Sequence, residues 1–231
     1  MHRLFITGTD TGVGKTRIAT ALCLAFAAAG KRVAAMKPVA SGCARTPAGL
    51  RNDDATALLG AMNVRASYAE VNPYAFEPPI APHIAAAEAG LSIDFEVLDR
   101  CYERLSLQSD ATIVEGAGGW LAPLDATRTF ADLAARWRLD VILVVGLRLG
   151  CLNHALLTAE SVERRGLRLS GWVGNAVEPE FTRREENLAA LETRIAAPCL
   201  GTFAYSPEAG AAQVAAVLRP RLVELDETAR P

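Results

Sequence analysis

Short, largely apolar runs alternate along this chain with longer segments in which apolar residues recur every three or four positions. The short runs lie at residues 4–7, 33–37, 111–115, 141–145, 171–175 and 199–203. They lack the polar side of a half-wet strand, so they predict parallel strands buried on both faces. The longer segments predict helices from residue 15 to a stop at Gly30, then at 53–60, 95–105, 130–136, 153–165 and 183–195. The proline-rich stretch 77–82 is expected to be a loop. Such alternation is the signature of an α/β fold with a mostly parallel central sheet and helices on both faces. With 231 residues, 51% of them hydrophobic, and no internal repeat, the chain is expected to form a single domain over 1–231. The polar terminus is expected to fray over roughly 222–231.

The most informative junction is GTDTGVGKT, residues 8–16, which joins the first predicted strand to the first predicted helix. Backbone N–H groups and the positive end of a helix can converge there on phosphate oxygens. Lys15 would reach the β- and γ-phosphates, and the Thr16 hydroxyl would ligate Mg²⁺. The strict pattern has four residues between its two glycines, which puts the first where Thr9 stands; Gly8 lies one residue earlier. The fold expected is therefore P-loop NTPase-like, with a variant loop.

Other polar residues stand at predicted strand ends, where ligands bind in open parallel sheets. Glu115 closes the strand 111–115 ahead of Gly116-Ala117-Gly118-Gly119, and it suits a Mg²⁺ ion carried by a triphosphate. Asp54 is the second candidate carboxylate; its spacing equally suits an ordinary acid in a first helical turn. Lys37, followed by a small-residue loop through Ser41, could neutralise a transferring phosphoryl group or could be a solvated strand-end lysine. Asn175 could read a base edge or could serve a turn. His83, His154 and the cysteines are read as loop, packing and small hydrophobic residues.

Composition narrows the partners. Twenty-four basic residues against 26 acidic ones give a formal charge of -2, and no basic run tracks a nucleic-acid backbone. The longest apolar run falls short of the roughly 20 residues a bilayer requires. Five scattered cysteines, none spaced C-x-x-C, suit neither a disulfide framework nor a zinc site and fit a reducing cytoplasm. No nucleic acid, no membrane and no export are expected.

Read in order, GTDTGVGKT, KPVASG, GLRNDD, PYAFEPPIAPHIAA, VEGAGGWLAPL, GLRLGCLNHALLT and GWVGN resemble the dethiobiotin synthetases across nearly the whole chain. The resemblance implies a cytoplasmic homodimer that converts 7,8-diaminononanoate, CO₂ and ATP, with Mg²⁺, to dethiobiotin, ADP and phosphate in biotin synthesis. A carbamate forms on one amine, ATP phosphorylates it, and the second amine closes the ring. It implies catalytic roles for Lys15 and Lys37 and metal ligation by Thr16, Asp54 and Glu115. Nucleotide contacts are implied for Gly12, Val13, Gly14, Lys15, Thr16, Arg17, Asp54, Glu115, Gly116, Ala117 and Gly118, and on the base side for Asn175, Ala176, Ala204, Tyr205 and Ser206. Substrate contacts are implied for Thr11, Ser41, Gly118, Leu149, Gly150, Cys151, Leu152 and Asn153, with a second subunit completing the pocket. Many relatives have Glu where this chain has Gly12, and proline where it has Ala204.

Two other readings share the loop. A ParA/MinD-like ATPase switch carries a lysine near the loop start, where this chain has Asp10. A regulatory GTPase carries Asn-Lys-x-Asp, where this chain has Asn175-Ala176-Val177-Glu178.

Overall fold

The computed structural model describes residues 1–206, 208 and 210–227. Along the chain run β1 (His2–Gly8), α1 (Lys15–Ala28), β2 (Val33–Met36), β3 (Val39–Ala40), β4 (Ala44–Thr46), β5 (Gly49–Arg51), α2 (Asp53–Ala61), α3 (Tyr68–Val71), β6 (Tyr74–Ala75), α4 (Pro82–Glu88) and α5 (Phe95–Leu107). They are followed by β7 (Ala111–Glu115), α6 (Phe130–Arg136), β8 (Asp140–Leu147), α7 (Cys151–Arg164), β9 (Leu169–Ala176), α8 (Arg184–Arg194), β10 (Cys199–Phe203), α9 (Ala211–Leu218) and α10 (Leu222–Glu227).

Six strands form one sheet in the order β10-β9-β8-β1-β7-β2, and every pairing in it is parallel. Successive side chains of a strand point to opposite faces, so a strand covered on both sides is apolar along most of its length. β1 shows this directly. Phe5 packs with Met36, Val114, Phe130 and Leu143 on one face, while Leu4 and Ile6 pack with Ile18, Leu22, Phe26 and Val144 on the other. Helices α1, α2, α9 and α10 supply Leu22, Leu58, Leu218, Leu222 and Leu225 to the second face. Helices α4–α8 supply Ala85, Leu98, Leu133, Ala155 and Leu191 to the first. The expected α/β architecture, with helices on both faces, is the one observed.

Several elements differ from expectation. The expected frayed tail over 222–231 is instead helical as far as Glu227, because Leu222 and Leu225 are buried against the core; residues 228–231 lie outside the described residues. The expected loop at 77–82 ends in α4, with Pro82 at its first turn, a position where the missing N–H costs nothing. Helix α7 begins at Cys151 rather than at residue 153.

The sheet order places the site. β1 lies between β7 and β8, and its end is in register with theirs: Ile6 pairs with Glu115 and Gly8 with Val144. Lys37 leaves β2 next to β7, where Met36 pairs with Val114. The carboxyl ends of β2, β7, β1, β8 and β9 therefore open on one crevice.

Candidate active site

A cleft of about 800 Å³ occupies that crevice, lined by the phosphate loop, the end of β2, the start of α2, residues 79–82 and the glycine loop after β7. Of the residues named from sequence, Thr11, Gly12, Gly14, Lys15, Thr16, Lys37, Ser41, Asp54, Glu115, Ala117 and Gly118 line it.

Its centre is a charge cluster. Lys37 is 3% exposed, and its Nζ donates to Glu115 Oε1 at 2.6 Å, Asp54 Oδ2 at 2.9 Å and the Gly116 carbonyl at 3.1 Å. Burial opposes the Lys37 charge, but the Glu115 and Asp54 carboxylates outweigh it and hold the ammonium above its ordinary range. Burial would likewise raise Asp54, yet Lys37 prevails and holds that carboxyl below its usual range. The solvated strand-end reading of Lys37 is thereby excluded. Asp54 stands in the first turn of α2, as one sequence reading had it, and also pairs with Lys37, a contact that neither reading named.

Local structure fixes each member. The Lys37 N–H donates to the Val71 carbonyl at 2.8 Å, and its carbonyl accepts the Asn72 side chain at 2.7 Å. The short helix α3, with no signal in the apolar pattern, thus grips the lysine's backbone. Asn52 caps α2 by accepting the Ala55 N–H at 3.2 Å, and its own N–H donates to the Tyr68 hydroxyl at 2.7 Å. Asn52 also lines the cleft; the signal for it was an Asn directly before a predicted helix.

Across the cleft, the Thr16 hydroxyl donates to Glu115 Oε1 at 2.8 Å. Glu115 is fully buried, and its Oε2 has no hydrogen-bond partner. Lys15 is turned back on its own loop, with Nζ donating to the Asp10 carbonyl at 2.8 Å. Burial, reinforced by the Lys37 charge, pulls the Lys15 ammonium down to about 8 against the pull of the nearby carboxylates. Such a lysine gains most from an incoming anion.

The residues expected on a base side, Asn175, Ala176, Ala204, Tyr205 and Ser206, are outside the cleft lining. Asn175 Nδ2 donates to the Val13 carbonyl at 2.9 Å, leaving its Oδ1 facing the Arg17 guanidinium at 3.4 Å. Arg17 sits 5.8 Å from the centre of the Phe203 ring. Asn175 is therefore a strut between β9 and the phosphate loop, a role its strand-end position did not reveal. Ala176 is buried at the end of β9, while Ala204 and Tyr205 are exposed and Ser206 half-buried just past β10.

The segment Leu149-Gly150-Cys151-Leu152-Asn153 does not line this chain's cleft. Leu149 is 92% exposed, Gly150 turns with φ 93°, and Cys151 is buried at the start of α7. His83 and His154 are also outside the cleft lining. One pairing had no forecast: Arg148, just past β8, forms an ion pair with Asp10 of the phosphate loop.

Comparison with known proteins places this geometry. A family profile described as an AAA domain matches residues 2–213. The ATP-dependent dethiobiotin synthetase of Pseudomonas paraeruginosa is 54% identical over 219 residues, covering 94% of this chain and 96% of that protein. The corresponding synthetase of Xanthomonas oryzae is 48% identical over 218 residues, covering 94% and 97%. Among solved structures, the MinD cell division protein of Aquifex aeolicus superposes with a TM-score of 0.60 at 18% identity, covering 100% of this chain and 99% of that one. A ParA family ATPase of Chlorobium tepidum superposes at 0.55 with 16% identity, covering 99% and 100%. Those two likenesses concern the fold alone. With about half of all residues shared over nearly its full length, the chain belongs to the dethiobiotin synthetase family.

Proposed function

We propose that this protein is an ATP-dependent dethiobiotin synthetase that closes a cyclic urea on 7,8-diaminononanoate, acting in biotin synthesis as a cytoplasmic homodimer of single-domain subunits. The observation that carries the reading is the buried Lys37, held between Asp54 and Glu115 in a cleft shared with Lys15 and Thr16.

The reaction balances without a covalent enzyme intermediate. One amine of the substrate adds to CO₂ and loses a proton, giving a carbamate. A carbamate oxygen attacks the γ-phosphorus of ATP and ADP leaves. The second amine then attacks the carbamate carbon, the ring closes, and phosphate departs with that amine's proton lost to solvent. Each step builds or moves negative charge on oxygen, so fixed cations and held reactants can supply most of the catalysis. Lys37 would hold the carbamate and phosphoryl oxygens. Lys15 would exchange the Asp10 carbonyl for phosphate, and Ser41 would hold substrate beside Lys37.

The donor set fits Mg²⁺. Thr16, Asp54 and Glu115 are hard oxygen ligands, and the buried, unpartnered Glu115 Oε2 leaves an acceptor that such an ion would satisfy. When bound, the ion would neutralise β- and γ-phosphate oxygens.

The 149–153 turn would take the substrate carboxylate with the N–H groups at the start of α7. Its exposure and its absence from this chain's own cleft support a role in the cleft of a second protomer. No helix among the described residues is long and apolar enough to cross a membrane. The reading is tested by incubating the protein with 7,8-diaminononanoate, bicarbonate, Mg²⁺ and ATP and identifying the product by mass. Formation of the cyclic urea with equimolar ADP supports it; a folded, nucleotide-binding protein that makes none overturns it.

A further inference from the structure

Asp10 is the point where three polar contacts of the phosphate loop meet. Its Oδ1 accepts the Thr11 N–H at 2.7 Å, its carbonyl accepts Lys15 Nζ at 2.8 Å, and its Oδ2 pairs with Arg148. Arg148 faces two ways. Its guanidinium reaches Asp10, while its carbonyl accepts the Cys151 N–H at 3.0 Å and so closes the turn that opens α7. Two further bonds tie the same strand to the loop: the Thr9 N–H donates to the Val144 carbonyl at 3.0 Å, and the Gly146 N–H donates to the Thr9 hydroxyl at 3.1 Å. Past Gly146, the Arg148–Asp10 pair continues this tie from the phosphate loop to the 149–153 turn.

The pair is poorly suited to a stabilising role. The Arg148 and Asp10 side chains are 42% and 47% exposed, and ion pairs that open to water contribute little to folding. Its position is more telling. A phosphate that draws Lys15 Nζ away from the Asp10 carbonyl would free the peptide that carries the Arg148 partner. That change is passed on through a guanidinium whose own backbone closes the neighbouring turn.

We propose that Arg148 is a positioning residue that couples the phosphate loop to the 149–153 turn, so that nucleotide in one cleft favours the turn geometry that receives a substrate carboxylate. This rests on the dethiobiotin synthetase reading and on the turn's role in a second protomer's cleft. The coupling then runs between sites, and linkage makes it reciprocal: bound diamine must tighten nucleotide by the same factor.

The test is calorimetric titration of a non-hydrolysable ATP analogue with Mg²⁺, with and without saturating 7,8-diaminononanoate, on the intact protein. The wild type is expected to bind the analogue at least about fivefold tighter with the diamine present, the lower end of common coupling factors. Arg148→Ala and Asp10→Asn should bring that ratio to about 1, whereas Arg148→Lys, which keeps a cation opposite Asp10, should retain most of it. A merely structural residue would weaken each ligand and leave the ratio unchanged. That result in Arg148→Ala, or a wild-type ratio of 1, overturns the inference. Cyclic urea formation by the wild type is read separately, so loss of coupling is distinguishable from failure of the assigned activity.

Discussion

Lys37 and Glu115 form an ion pair at 2.6 Å in which the lysine side chain is 4% exposed and the carboxylate side chain 0%. A pair so far from water is costly to break, because removing one partner leaves the other charge buried and uncompensated. Lys37→Ala is therefore expected to act on two quantities. Turnover should fall on the order of 100-fold or more as a cation at the transferring group is lost. Stability should fall by about 3–5 kcal/mol, read from denaturant midpoints. Near-normal turnover in a folded variant would remove Lys37 from the chemistry.

Thr16 donates to Glu115 Oε1 at 2.8 Å, beside the unpartnered Oε2. Thr16→Val keeps the shape and deletes the hydroxyl. If Thr16 and Glu115 hold Mg²⁺, the concentration giving half-maximal activity should rise roughly tenfold, about 1.4 kcal/mol for one lost metal contact. An unchanged Mg²⁺ dependence would place the ion elsewhere.

Gly12 and Gly14 both have positive φ, 75° and 93°, yet their substitution should differ. A Cβ on Gly14 would sit 2.5 Å from Asn175 Nδ2, whereas one on Gly12 would meet nothing within 4 Å. Gly12→Ala should cost only about 1–2 kcal/mol of backbone strain. Gly14→Ala should also displace Asn175 from the Val13 carbonyl and abolish measurable nucleotide binding. Equal nucleotide affinities in the two variants would contradict this placement of Asn175.

The turn past the cleft wall supplies a pH signature. Asp125 accepts the Thr127 N–H at 2.8 Å, the Arg128 N–H at 2.7 Å and Arg128 Nε at 2.6 Å. Burial works against its charge, but these bonds prevail and hold the carboxyl at about 2. A depressed carboxyl stabilises the fold above its unfolded value near 3.9, and that contribution is lost as pH falls toward 2. Urea midpoints of wild type and Asp125→Asn should differ at neutral pH and draw together as pH falls from about 4 toward 2. A gap that stays constant into acid would show that the carboxylate's charge does not hold the turn.

All six strands of the main sheet, and most of the helices around it, were legible as apolar runs and helical periods. A strand buried on both faces has no choice of residue, and Leu4, Phe5 and Ile6 satisfy both cores at once. The small pairings β3–β6 and β4–β5, and the helix α3, left no such trace, because elements of two to four residues are too short to show a period. The helix α10 was missed for a different reason: polar residues around Leu222 and Leu225 masked two apolar anchors that find the core.

The sequence by itself determined the chemistry available to this protein: a phosphate loop ending in Lys15 and Thr16, carboxylates and a lysine at strand ends, and the family that their order resembles. Only the tertiary structure decided how those groups are used. A strand end specifies that a side chain reaches the crevice, but the strand order specifies its neighbour. Because β7 lies between β1 and β2, Glu115 meets both Thr16 and Lys37. Because β8 flanks β1 on the other side, Asp10 meets Arg148, a contact across 138 residues of chain that no local pattern encodes.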